Sequence, residues 1–128
     1  MTAPALKAAL RACAAGLYPL EAGVALVIAE GSFLRRDDFT GRFIEYGASS
    51  GTTMAAIDWD AVITALHVGE LPCSAGERRV LMLSASLAGG IPVDLRDAAT
   101  GLDDRNIQRL VTAILHASGK RPEPGLYR

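Results

Sequence analysis

Aromatic residues are scarce in this chain: one Trp, three Tyr and three Phe make up 5% of 128 residues, while hydrophobic residues reach 50%. A core built on stacked rings is thereby excluded. The apolar surplus is aliphatic, in Ala, Leu, Val and Ile runs suited to helices. Cysteine is rarer still. Cys13 and Cys73 stand far apart with no ligand set around them, and read as two small apolar residues in a reducing compartment. Long apolar runs are missing too. The longest, Gly23 to Ala29, falls far short of the roughly 20 residues that span a bilayer. Lys7 and Arg11 could begin a secretory signal, but Pro19 and Glu21 break the apolar stretch behind them. The expectation is a cytoplasmic protein with no membrane association.

Neither sign of charge dominates. Thirteen basic residues face fourteen acidic ones, for a net charge of −1. A domain that holds nucleic acid through its phosphates is usually basic overall or carries a basic face, so only a local patch could serve here. Mean hydropathy is +0.24, high for a chain of this size. A single domain of this length buries roughly two thirds of the surface its unfolded form exposes. An apolar face left over for a partner is therefore expected.

What is present is helix punctuation. Pro4 suits the first turn of a helix over Ala5–Leu17, with Leu6, Leu10, Cys13 and Leu17 on one side and Gly16 at its end. Pro19 opens a second helix, Leu20–Glu30, stopped by Gly31; Val24 to Ile28 cover all its faces, which marks it as central. A third is expected over Arg36–Tyr46, with Phe39, Phe43 and Tyr46 aligned, then a polar loop over 48–56. Asp58 caps a fourth, Trp59–Val68. Ser74 and Glu77 have the spacing of a capping box before a fifth helix through Ala88, which Gly89-Gly90 ends. Pro92–Ala99 is a short helix at best. Asp103 caps the last, with Ile107, Leu110, Val111, Ile114 and Leu115 on its apolar stripe. The reading is an all-α, single compact domain of five or six helices over 1–119, followed by a flexible C-terminal tail over 120–128.

Catalytic constellations are weak. Gly47 and Gly51 lack the spacing and the lysine of a phosphate-binding loop, since Thr52 stands where the lysine belongs. His67, Glu70 and Cys73 have metal-ligand spacing, but Gly69 and Pro72 interrupt the helix that would align them. His116 falls in a last helical turn, where the macrodipole suits it. The acidic pairs Asp37/Asp38, Asp58/Asp60, Asp94/Asp97 and Asp103/Asp104 each lie at or near a helix start, which capping explains. No enzyme, cofactor or metal is expected.

Two binding readings remain. The first is a non-enzymatic interaction or regulatory module that self-associates or holds a protein partner through an apolar helix face. Val80, Leu81, Met82 and Leu83 are the candidates, because they point in several directions and cannot all enter one core. The second is a DNA-binding regulator using a helix-turn-helix-like corner at 92–117. Asp103 and Asp104 at the start of its reading helix argue against it, since phosphates repel them. Arg35, Arg36, Arg42, Arg78 and Arg79 could supply a basic patch if the third and fifth helices pack side by side. The sharpest local expectation is the capping box: Ser74→Ala should cost about 1 kcal/mol in chemical unfolding. No change would move the helix start elsewhere.

Overall fold

Short polar side chains at helix starts and glycines at helix ends divide most of the chain. In the computed structural model, which describes residues 1–120, seven α-helices and one β-hairpin form a single body. The helices are α1 (Ala3–Ala14), α2 (Tyr18–Glu30), α3 (Asp37–Phe43), α4 (Trp59–His67), α5 (Ala75–Gly89), α6 (Leu95–Gly101) and α7 (Asp104–Ala117). A 3-10 turn over Phe33–Arg35 leads into α3. At the starts of α1, α4, α6 and α7, the side chains of Thr2, Asp58, Asp94 and Asp103 accept amides three residues on. The capping box is complete. Ser74 Oγ accepts the Glu77 amide at 3.1 Å, and Glu77 Oε1 accepts the Ser74 amide at 2.8 Å.

Between α3 and α4 the all-α expectation is corrected. Strands β1 (Ile44–Ser49) and β2 (Thr52–Ile57) pair antiparallel, with Ser49 opposite Thr52 and Ile44 opposite Ile57. The third helix stops at Phe43, not Tyr46, and the supposed loop over 48–56 belongs mostly to the hairpin. Two residues make the turn, Ser50 at φ 50° and Gly51 at φ 79°. Both positive angles suit the tight turns whose twist matches paired strands. Ala55 and Ile57 alternate inward and Ala56 outward, and β2 packs against α1. The Asp58 amide donates to the Phe43 carbonyl at 2.8 Å and closes the base of the hairpin.

Two cores share this body. The larger gathers α1, α3, the hairpin and α4, with Phe33, Phe39 and Phe43 tilted against each other at centroid distances of 5.3 Å. A smaller one lies under α6 and α7, built from Ala22, Leu26, Val80, Leu83, Ala98, Leu110 and Ala113. α2 and α5 stand between them and feed both. Val24 and Val27 enter the larger core, Ala22 and Leu26 the smaller. That position explains why α2 is apolar all round. Among the described residues no helix is long and apolar enough to cross a membrane. Apart from Lys120, the expected tail over 120–128 lies outside the described residues.

The two central helices meet at a glycine. A Cβ on Gly23 would stand 2.6 Å from the Ser84 carbonyl oxygen and 2.7 Å from Ala88 Cβ, both on α5. Gly23→Ala gains up to about 1 kcal/mol of helix propensity. Overpacking against backbone costs about 1–3 kcal/mol, so the variant should be less stable in chemical unfolding. Adding Ala88→Gly should restore only part of the loss, because the Ser84 carbonyl remains.

Candidate interaction surface

The expected face on α5 is inside the protein. Val80, Leu81 and Leu83 are buried, and Met82 is half-buried against the larger core. These residues do point several ways, but into two cores: Val80 and Leu83 into the smaller, Leu81 into the larger. They are corrected as an interaction face, since three of the four are buried and only part of Met82 is exposed.

The five arginines do not form one patch either. Arg36 holds Asp38 through Nε and Nη2, at 2.9 and 2.6 Å, donates from Nη1 to the Pro72 carbonyl, and lies over the Phe33 ring. Arg42 pairs with Glu70 and lies 5.0 Å from the Phe43 ring centroid. Arg78 donates to the Leu66 carbonyl at 2.9 Å. Arg79 grips Asp97 and the Gly101 carbonyl, tying α6 to α5. Of these five, Arg35 alone is both exposed and without a carboxylate partner among the described residues. Each of the other four is committed to a separate structural joint, because neighbours in sequence on one helix diverge by roughly 100°.

Residues weighed for chemistry scatter as well. Glu70 is taken by Arg42, His67 ends α4 exposed, and Cys73 lies half-buried beyond Pro72. Burial pushes the Cys73 thiol up, and Glu77 adds to the effect. A raised thiol is a poor nucleophile. His116 has a partner that the sequence did not suggest. Its Nε2 lies 2.7 Å from Glu21 Oε1, across from α7 to α2. The ring nitrogen is the donor when the carboxylate is ionised. Glu21 Oε2 also accepts the Gly16 amide at 2.7 Å, so one carboxylate ties together the α1–α2 turn, α2 and the end of α7. Among the described residues no hydroxyl or thiol donates to the histidine, so the pair lacks the nucleophile that a catalytic triad needs.

What remains open is the surface of α7. This helix separates apolar from polar residues more sharply than any other here, yet only Leu110 and Ala113 are buried. They mark the line on which α7 rests against α2 and α5. At about 100° per residue, Ile107, Val111, Ile114 and Leu115 fall to one side of that line. None belongs to either core; Ile114 is 48% exposed, and Ile107, Val111 and Leu115 are half-buried. To the other side fall Arg105, Arg109, Thr112 and His116, facing Ala25 and Ala29 of α2 across a groove of about 450 Å³. The final apolar stripe was legible in the sequence; how little of it is covered was not.

Glu21 supplies the pH dependence of this region. Its hydrogen bond from His116, then that from the Gly16 amide, hold its carboxyl below the ordinary value of 4.5. A depressed folded-state value means that the ionised group stabilises the fold above that ordinary value, and that the contribution is lost as the pH falls below it. Glu21→Gln should flatten that part of the acid side of a pH–stability curve, measured by thermal melts. A wild-type slope in the variant would show that the pair contributes nothing. No protein-family model matches this chain, and neither the curated proteins nor the solved structures compared with it contain a match.

Proposed function

We propose that the protein is a non-enzymatic interaction module whose docking surface is the uncovered apolar side of α7, and that a second copy of the chain covers it. The observation that carries this reading is the mismatch within α7. A helix that segregates its apolar residues so strongly leaves Ile107, Val111, Ile114 and Leu115 outside both cores. Apolar side chains gathered on one strip of surface mark contact sites more often than accident.

Charge favours a second copy in antiparallel array. Asp103 and Asp104 begin α7, and Lys120 follows its end. A two-fold axis across the middle of the helix brings the acidic end of each copy against the lysine of the other. Opposed helix dipoles add to that preference. Fourteen residues make a helix about 21 Å long. Such a contact belongs with the smaller specific interfaces, below about 1,200 Å² in total, so the dimer is expected to be weak. The DNA-binding reading is left with Arg105, Gln108, Arg109 and Thr112 on the groove side of α7, behind two aspartates that phosphates repel.

Light scattering across a concentration series should show mass rising from the 13.4 kDa monomer. Ile114→Glu should abolish the rise while leaving the circular dichroism spectrum unchanged, because Ile114 contributes to neither core. A monomer at high micromolar concentration, or a dimer indifferent to Ile114→Glu, would remove the proposal.

A further inference from the structure

We infer that the groove between α2 and α7 binds a small organic anion, a carboxylate or phosphate monoester on a short apolar body. Its charged head would sit between Arg105 and Arg109, and its body would lie on the alanines of α2. The groove holds about 450 Å³, within the range of small-molecule sites. Its floor is apolar: Ala25 and Ala29 are one turn apart on α2, with Leu26 and Ala113 below them. Small side chains at these positions keep the two helices from filling the space between them.

The polar groups sit on the α7 wall. Arg105 and Arg109 are one turn apart on the same side of the helix, close enough to share one anionic group. Neither has a carboxylate partner among the described residues, unlike Arg36, Arg42 and Arg79. Arg109 is already oriented, its Nη1 donating to Asn106 Oδ1 at 2.9 Å. Guanidinium groups so arranged match the oxygens of a carboxylate or phosphate.

The groove extends beyond its arginine end. A smaller depression of about 200 Å³ continues the groove past Ala25 and His116 to Glu21 and Arg11. The Glu21 carboxylate there is committed to His116 and the Gly16 amide, and Arg11 lies beside it. The Arg105–Arg109 pair lies some two to three turns away along α7, and a head held there leaves the apolar body pointing towards His116. This site lies on the opposite flank of α7 from the proposed docking surface and does not depend on it.

The test is a nuclear magnetic resonance titration of the whole chain with four probes: hexanoate, hexyl phosphate, inorganic phosphate and hexylamine. Hexanoate, hexyl phosphate or both should shift signals of Arg105, Arg109, Ala25 and Ala29; whichever binds more tightly identifies the head group. Inorganic phosphate should bind at least tenfold more weakly than the better of the two, and hexylamine not at all. Two variants divide the contributions. Arg105→Gln with Arg109→Gln should weaken binding tenfold or more. Ala29→Leu keeps both arginines and fills the floor at an exposed helical position, and should weaken it comparably. Ile114→Glu should bind as the wild type does. Silence from both hexyl anions would overturn the inference, as would equal binding of inorganic phosphate or an unaffected Ala29→Leu variant. Shifts caused by a DNA duplex and not by either hexyl anion would overturn it in favour of nucleic acid.

Discussion

Where α2 crosses α5, a backbone touches a backbone's neighbours, and the two-core arrangement follows from that contact. Gly23 has no side chain because the Ser84 carbonyl and Ala88 Cβ occupy the space one would need. Helices that approach so closely cannot interpose large side chains at the crossing, so each turns its leucines and valines to either side. One set meets α1, the hairpin and α4; the other meets α6 and α7. Ser84 is the buried polar residue at this crossing, and its hydroxyl donates to the Val80 carbonyl at 2.9 Å, so no polar group is left unsatisfied. The scarcity of aromatics fits the same constraint. Bulky rings have no place between helices this close, and the three phenylalanines are confined to the α3 corner.

Most helices were legible because their ends are written in local chemistry. Asp58, Ser74 and Asp103 cap where their spacing to the following amides requires, and Gly31 and Gly90 adopt the left-handed conformation that ends α2 and α5. The hairpin was hidden for a physical reason. Phe39, Phe43 and Tyr46 follow helical spacing, and the first two do share a helix, but Tyr46 lies 52% exposed on a strand. β2 mixes Met54 and two alanines with the β-branched Thr52, Thr53 and Ile57, and it packs Ala55 and Ile57 inward on the side that meets α1. The signal that could have found it was Ser50-Gly51 followed by two threonines.

Adjacency in sequence does not make the arginines one patch. Arg78 and Arg79 are consecutive, yet one reaches Leu66 on α4 and the other Asp97 on α6. Arg105 and Arg109, four apart, share a face of α7. Pairing decides the rest. An arginine that holds a carboxylate and a carbonyl, as Arg79 does, is a structural clamp, and a Cβ on Gly101 would stand 2.4 Å from its guanidinium carbon.

The apolar residues of α5 lie inside, against the two cores. A helix apolar on several sides, such as α5, signals burial between two layers, because every side then meets protein. Exposure goes instead to the helix that reaches the body by one narrow stripe, and that helix is α7. Leu110 and Ala113 hold it there, Glu21 fixes its last turn through His116, and both flanks are only partly covered. The two flanks differ in chemistry, one aliphatic and one cationic over alanine. They are separated by the buried line of the helix itself, so a substitution on either flank leaves the core contacts and the other flank in place. Substitutions on the two flanks therefore test the two proposals separately without unfolding the chain.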